Sequence, residues 1–320
     1  MRFGCVNLLQ YVQPGGLETI LPGMPAIRTM TALLIVALGQ TALLAEGGGD
    51  DSRGFLISER IQGSGSPLGL VTKSDTAVGY RLNRYLTVEG GVPVYFLYPS
   101  TTLVQATGTG SQSGIGNVYA GLRLSFTNPV VNYTSGITVS APTGDKSTGF
   151  STGHATYDWT NSFERSFARV TPFVNLGIAN TITDTPYFVR PFTSFGFVSH
   201  LDGGASYKLS RATSLGASVY AIAPSGQQTV VSKLISGKSA NLGTGTGHGR
   251  SGHQGVFETA KETVGTADIV RDHGLSTWFS FKPSRYTEFE IGYSRSVVYA
   301  LDSVFFGVDF NLAPLVGRRH

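Results

Sequence analysis

The sequence predicts an all-β protein, namely a closed antiparallel up-and-down transmembrane β-barrel of about twelve strands. Three observations predict this fold class. Beyond residue 50, apolar and polar residues alternate along the chain, and helical periodicity is almost absent. Short and long connections also alternate between the predicted strands. Finally, only 14% of the residues are charged and 42 of the 320 are glycine, whereas soluble domains carry about 25% charged residues.

The alternation is clearest in the middle of the first half of the chain. Val118, Leu122 and Phe126 share one face of a predicted strand, while Tyr119 and Arg123 share the other. Several predicted strands have the roughly ten residues that a tilted membrane strand needs. The predicted strands cover approximately residues 53–62, 68–82, 85–97, 115–126, 131–141, 154–166, 170–181, 193–208, 213–223, 269–282, 286–297 and 302–312.

The connections between these strands fall into two classes that alternate along the chain. The tight connections are residues 83–84, 127–130, 167–169, 209–212 and 283–285. The other connections are mostly longer and rich in Gly, Ser and Thr, and they cover residues 98–114, 142–153, 182–192 and 224–268, with short members near 63–67 and 298–301. Short periplasmic turns and longer outer loops are typical of outer-membrane barrels. This arrangement predicts that both ends of the barrel domain lie on the periplasmic side.

The N-terminal part of the chain has the pattern of a targeting segment. Residues 30–45 form the most apolar run in the sequence, and Arg28 precedes them. A basic residue, a short apolar run and a small residue before a polar one are typical of a secretory signal. We therefore predict that residues 1–45 are a signal segment, with residues 1–23 upstream of a true start at Met24. A membrane anchor or a buried helix is the alternative.

The remaining chain is predicted to be one domain. Residues 46–320 are expected to form a single β-barrel with a long, mobile outer loop at residues 224–268. The single cysteine, Cys5, lies in the predicted signal segment. A nearly cysteine-free chain is compatible with the oxidising periplasmic route.

Alternation alone does not reveal which face of the sheet meets lipid, but two features favour an outward apolar face. Charged residues lie on the polar faces, and the apolar faces end in aromatic residues such as Tyr80, Trp159 and Tyr207, as interfacial girdles require. Inward-facing Tyr119, Tyr220, Trp278 and Phe305 are expected to narrow the lumen. The residues predicted to line the lumen are Arg81, Glu89, Tyr119, Arg123, Asp158, His200, Asp202, Trp278, Lys282, Glu288 and Glu290.

Other functional classes receive little support. A net charge of +4 without a basic run argues against nucleic-acid binding. The glycine-rich residues 243–253 lack the features of a phosphate loop, and His248 with His253 supply too few ligands for a metal site. His200 and Asp202 lie two residues apart on one predicted strand face, about 6.5 Å, which is too far for a catalytic pair. We predict no catalytic residue, metal or cofactor.

Two short motifs suggest a family. The stretch at residues 113–124, Ser-Gly-Ile-Gly-Asn-Val-Tyr-Ala-Gly-Leu-Arg-Leu, is followed at residues 140–145 by Ser-Ala-Pro-Thr-Gly-Asp. Together they resemble the outer-membrane proteins of the "MetA-pathway of phenol degradation" family, with Asn117 where the family usually has Asp. The resemblance covers most of residues 65–312. It implies a barrel that moves small, often hydrophobic or aromatic, compounds.

Barrels of this kind usually end in an aromatic residue that assists recognition by the barrel-assembly machinery. Phe310 is the candidate here, although residues 311–320 follow it. The expected partners are therefore outer-membrane lipid, small-molecule solutes and the assembly machinery.

The predicted function is passive passage of small solutes through a channel in a bacterial outer membrane. A structural or adhesive barrel with a plugged lumen is the first alternative. A membrane-embedded hydrolase is the second, and a soluble secreted β-sandwich is the third. A barrel of about twelve strands is narrower than porins of 16–18 strands, so size is the expected basis of selection.

Overall fold

The structure is a computed structural model that describes residues 53–312, except residues 109, 183, 186 and 236–255. The predicted signal segment and the glycine-rich residues 243–253 lie outside the described residues. These residues include one short helix, α1 (Thr101–Thr107). They also include three 3-10 turns, at Lys146–Thr148, Val256–Glu258 and Ala267–Val270. The strands are β1 (Gly54–Ser66), β2 (Gly69–Arg81), β3 (Leu86–Pro99), β4 (Gln112–Ile115), β5 (Tyr119–Phe126), β6 (Asn132–Ser140), β7 (Thr156–Glu164), β8 (Val170–Ala179), β9 (Phe192–Phe195), β10 (Val198–Lys208), β11 (Thr213–Pro224), β12 (Gln228–Ser232), β13 (Glu262–Gly265), β14 (Asp272–Phe281), β15 (Thr287–Ser296) and β16 (Leu301–Asn311).

Twelve of these strands form a closed antiparallel barrel, which confirms the predicted fold class. They are β1, β2, β3, β5, β6, β7, β8, β10, β11, β14, β15 and β16. The barrel closes where β16 pairs with β1, so that Ile61 lies opposite both Phe306 and Ser74. β3 pairs with β5 through residues 86–91 and with the short β4 through residues 94–97. Closure leaves no free sheet edge, as a membrane-spanning sheet requires.

The predicted strand at residues 193–208 is wrong in one respect, because it is two strands. Gly196 has a φ of +148°, and a Cβ there would lie 2.3 Å from the Gln228 side-chain oxygen. Glycine accommodates this backbone at little cost. The chain therefore leaves the barrel at Gly196, and β9 joins β12 and β13 in a small three-stranded sheet. Alternating apolar residues run through both strands, so periodicity does not show the break.

The described part of the predicted outer loop at residues 224–268 is more ordered than expected. It contains β12, β13 and the turns at Val256–Glu258 and Ala267–Val270. Val230 and Phe257 are almost completely buried and pack with inward-facing Ile222 and Leu301 at the outer end of the barrel. Burial of these apolar side chains fixes the described part of the loop over the barrel mouth.

The outer surface of the wall is an apolar belt, interrupted by Glu59 on β1. Val219, Val139 and Trp159 point outward and keep 65%, 51% and 46% of their surface exposed. At the end with the short turns, Phe55 packs edge-on against Tyr80, with 5.0 Å between the ring centroids. A belt this large and apolar matches the hydrocarbon layer of a membrane, and rings at its edge match the interface.

Across the described residues, no helix is long and apolar enough to cross a membrane.

Candidate channel interior

Strand pairing separates the inward face from the outward face. Residues that pair across neighbouring strands point to the same face of the sheet. The inward series of residues can therefore be followed around the barrel, from Arg81 to its partner Thr87 and from Thr87 to its partner Arg123. Ten of the predicted lining residues lie on this inward series, and Lys282 follows β14 directly: Arg81, Glu89, Tyr119, Arg123, Asp158, His200, Asp202, Trp278, Lys282, Glu288 and Glu290.

The periplasmic half of the interior carries ion pairs between inward-facing side chains. Arg123 lies 3.1 Å from Glu89, and these side chains are 50% and 25% exposed. Lys282 lies 3.6 Å from Glu288 on the next strand. Such exposed pairs contribute little to stability. Both signs are present, so this half forms a polar chamber without a dominant charge.

Arg60 is an inward charge that the sequence analysis missed. Its guanidinium donates to the Glu290 carboxylate at 2.8 Å and lies 3.7 Å from Asp309. Arg60 belongs to β1, whose alternation is weak because Glu59, on the outward face, also carries a charge. The alternation there gave no clear signal of an inward arginine.

His200 and Asp202 each find a partner on another strand rather than each other. The His200 ring crosses Gly177, where a Cβ would lie 2.3 Å from the ring, and Nε2 lies 3.3 Å from the Asp158 carboxylate. Asn175 donates its amide to Asp202 at 3.1 Å. These pairs place polar groups on the inner wall between β7 and β10.

A loop between β8 and β9 enters the lumen. We define the inner loop by its described residues 184–185 and 187–190. Thr185 and Phe188 exchange backbone hydrogen bonds of 3.1 and 3.3 Å, which close a tight turn. The Tyr187 ring stacks on Trp278 at 5.0 Å and meets Phe305 at the same centroid distance. Alternation predicts that Tyr119, Tyr220, Trp278 and Phe305 on the wall narrow the lumen, but it gives no signal for Tyr187.

Asp184 attaches the inner loop to one side of the barrel. Its carboxylate accepts from the Tyr95 hydroxyl at 2.8 Å and lies 3.8 Å from Lys73 and 3.7 Å from Lys233. Burial by itself would raise the pKa of Asp184, but the two ammonium groups hold that pKa below its usual range. Burial lowers the pKa of Lys233 to about 8, although Asp184 opposes this shift. The two lysines therefore favour the charged form of Asp184, and Asp184 favours the charged form of Lys233.

Arg190 attaches the other end of the inner loop to the opposite side. Its guanidinium lies 3.2 Å from Asp272 on β14, and the two side chains are 1% and 0% exposed. Asp272 also accepts from the Tyr220 hydroxyl at 3.1 Å and the Ser296 hydroxyl at 2.6 Å. This is a fully desolvated ion pair in which Arg190, Tyr220 and Ser296 all donate to the Asp272 carboxylate.

The inner loop covers the interior unevenly. Gln62 on β1 and Ser303 on β16 are completely buried beneath it. In contrast, the Asp158 and His200 side chains keep 14% and 23% of their surface exposed. Thr138 on the neighbouring β6 is also only partly buried. Arg123 on β5 is 50% exposed. The accessible side of the interior therefore includes β5, β6 and β7 and extends to His200 on β10, away from the strands that the loop covers.

No family model matches the chain, and no curated protein matches it. Among solved structures, an outer-membrane channel from Pseudomonas putida F1 has a TM-score of 0.51 and 10% identity, covering 85% of this chain and 98% of that one. The NanC porin has a TM-score of 0.47 and 9% identity, covering 80% and 100%. The KdgM porin in complex with disordered oligogalacturonate has 0.45 and 9%, covering 80% and 98%. At these identities the likeness concerns the fold, which is that of outer-membrane barrels. With the apolar belt, this fold supports the predicted location in a bacterial outer membrane.

Proposed function

We propose that this chain is an outer-membrane channel through which small solutes diffuse passively, between the inner loop and the wall of β5, β6 and β7. The uneven cover of the interior carries this proposal. Asp158 and His200 remain accessible on one wall, while Gln62 and Ser303 are fully covered on the other. A plug without a transport role would be expected to cover both walls alike.

The proposed route selects mainly by size. A twelve-stranded wall encloses less space than the 16–18 strands of general porins, and the inner loop occupies part of that space. The periplasmic chamber carries paired charges of both signs, such as Arg123 with Glu89, so we expect weak ion selectivity. Of the eleven lining residues predicted from the sequence, Tyr119, Arg123 and Asp158 on this wall are proposed to contact solute along this route, and the others are proposed to line the rest of the interior.

Aromatic or hydrophobic solutes are the class that we favour. Tyr187 and Trp278 stack in the lumen, and Phe173 lies 6.0 Å from Trp278. Planar solutes can stack on such rings as one ring stacks on another. The resemblance of residues 113–124 and 140–145 to the MetA-pathway family points in the same direction.

The proposed partners besides solutes are membrane lipid and the barrel-assembly machinery. Phe310 lies opposite Ile57 near the periplasmic end of β16, on the outward face. That position suits a residue that the assembly machinery would contact before the barrel enters the membrane.

Replacing Thr138 by tryptophan is expected to slow solute entry several-fold, because the indole would fill the accessible side of the interior. Thr138 points inward between Gly121 and Asp158. Swelling of liposomes that contain the folded protein measures the rate, with a series of neutral solutes of increasing size. Val139→Trp is the matched control, since Val139 points to lipid and is 51% exposed. Equal rates for both variants would contradict the proposed route.

The same assay separates the channel from a structural or adhesive barrel. A folded wild-type preparation that admits no solute would favour the structural or adhesive barrel.

The hydrolase alternative requires a histidine beside a nucleophilic serine. His200 instead contacts Asp158, and Thr160 donates to the same carboxylate at 2.7 Å, which favours a polar lining role.

A further inference from the structure

Glu59 on β1 is a charged side chain on the lipid-facing surface of the barrel. Its strand partners are Thr76 on β2 and Val308 on β16, which also point outward. On the outward faces of the twelve barrel strands described above, the residues that are Asp, Glu, Lys or Arg are Glu59, Arg295 and Asp302. Arg295 and Asp302 form an ion pair with each other at the outer end of β15 and β16. Among the residues of these strands, Glu59 has no oppositely charged partner on its face of the sheet.

The position of Glu59 is near the middle of the apolar belt rather than at its edge. Phe55, whose ring packs against Tyr80 at the periplasmic edge, lies four residues before Glu59 on the same strand face. Four residues span about 13 Å along a strand, which corresponds to about 10 Å of depth at a tilt of roughly 40°. The apolar band of an outer-membrane barrel is about 25 Å tall. An ionisable group at this depth is costly against lipid and marks a functional contact.

Two hydroxyl groups on β2 contact the Glu59 carboxyl group. Ser74 donates to one carboxyl oxygen at 2.6 Å, and Thr76 donates to the other. In hydrocarbon, a carboxyl group is less costly in its neutral form than in its ionised form. The neutral form carries an O–H donor in addition to its acceptor oxygens. Because Ser74 and Thr76 act as donors to Glu59, this O–H remains to be satisfied by an acceptor outside the wall.

The surface around these three residues suits close approach of another protein wall. We define the polar patch as Glu59, Ser74 and Thr76. Val308 lies on one side of the patch, and Val92, the strand partner of Thr76, lies on the other. All side chains around Glu59 at this level are therefore short or apolar. Lipid tails offer no hydrogen-bond acceptor, whereas small and polar side chains are typical of protein–protein contacts within membranes.

A second copy of this chain offers the matching groups at the matching depth. Copies insert into the outer membrane in the same direction, so their polar patches lie at the same level. A two-fold axis along the membrane normal beside β1 therefore brings the Glu59 side chains of two copies together, as in an isologous interface. Two neutral carboxyl groups are self-complementary, because each has one donor and one acceptor for the other.

We propose that the outward face of β1 and β2 is an interface between two copies of this chain in the membrane, in which Glu59 of one copy hydrogen-bonds to Glu59 of the other. The contact uses the outward face only. The inward-facing residues and the proposed solute route of each copy remain separate, so the dimer carries two parallel channels.

Cross-linking at low protein-to-lipid ratio tests which face forms the contact. Val78→Cys places a thiol beside the polar patch at a lipid-facing position that is 49% exposed, and leaves Glu59 and both hydroxyls in place. Val174→Cys on β8 is the matched control, since this valine is 41% exposed on the opposite side of the barrel. Cys5 is replaced by serine in both variants. We expect a flexible, membrane-permeant bis-maleimide to give a product of twice the monomer mass with Val78→Cys alone.

Three results of this experiment would overturn the interface. They are equal cross-linking of the two variants, no cross-linking of either, and a product in intact outer membranes that joins Val78→Cys to a protein of different mass instead of a second copy. A monofunctional maleimide shows that both thiols react, and mobility on unheated gels shows that each variant is folded.

Replacing Glu59 tests the contact itself. Adding Glu59→Leu to Val78→Cys is expected to raise the dissociation constant of the dimer in lipid about tenfold, because the two hydrogen bonds across the axis are lost. The folded monomer should tolerate this change, since leucine suits a lipid-facing position. Glu59→Gln is the conservative variant and should keep most of the dimer, because an amide also has both a donor and an acceptor. Cross-linked fractions over a series of lipid dilutions give the values. An unchanged dissociation constant in Glu59→Leu, or an equal loss in Glu59→Gln, would overturn the pairing of Glu59.

Discussion

Asp272→Asn is expected to lower the free energy of unfolding by about 3–5 kcal/mol, because it leaves the buried Arg190 charge without a partner. Both side chains are essentially unexposed, so water cannot replace the lost carboxylate. Urea denaturation of the protein in lipid vesicles measures the change. The chain has two tryptophans, and Trp278, stacked on Tyr187, reports on the interior.

Two comparisons give this prediction its controls. Asp302→Asn removes the partner of Arg295 at the surface, where the side chains are 45% and 49% exposed. It is expected to cost at most about 1 kcal/mol. The apolar double variant Arg190→Met with Asp272→Leu should regain much of the loss, since it leaves no unpaired charge. If Asp272→Asn cost no more than Asp302→Asn, the buried pair would not anchor the loop.

Ile137→Arg is expected to destabilise the folded barrel in a bilayer by about 2–4 kcal/mol, because it places a charge against hydrocarbon near the middle of the wall. Ile137 lies in the central part of β6, points outward and is 44% exposed. Folding into lipid vesicles as a function of urea, followed by the mobility shift between unheated and heated samples, gives the value.

The matched control lies one residue further along the same strand. Thr138 points inward and is partly exposed. Thr138→Arg should therefore change the folding free energy far less than Ile137→Arg does. The reverse order would mean that the outward face at Ile137 meets water and that the inward face at Thr138 is the less solvated one, which would contradict a membrane barrel.

Much of the wall could be predicted from the sequence because its signal is local. Side chains along a strand alternate with a period of two, so each strand carries its own record of which residues share a face. That is why twelve strands were predicted, and why Tyr119 and Trp278 were expected on the same face as charged residues. Tight turns after alternate strands similarly showed which end of the barrel carries the short connections.

Contacts between distant segments leave no comparable periodic pattern in the sequence. Residues 184–185 and 187–190 have no periodicity, and their composition alone indicated a connection between two strands. Only the folded chain brings Tyr187 onto Trp278 and Asp184 between Lys73 and Lys233. The partner of His200 was missed for the same reason, since Asp158 lies 42 residues away along the chain.

Alternation of side chains thus determined the strands and their two faces, and the positions of charged and aromatic residues indicated which solvent each face meets. Tertiary structure decided how the interior is filled: which loop enters it, which charges hold that loop and which wall stays accessible. The physical reason is the range of each interaction. Burial of one strand face depends on neighbours two residues apart, whereas the position of the inner loop depends on ion pairs and ring contacts between segments that only barrel closure brings together.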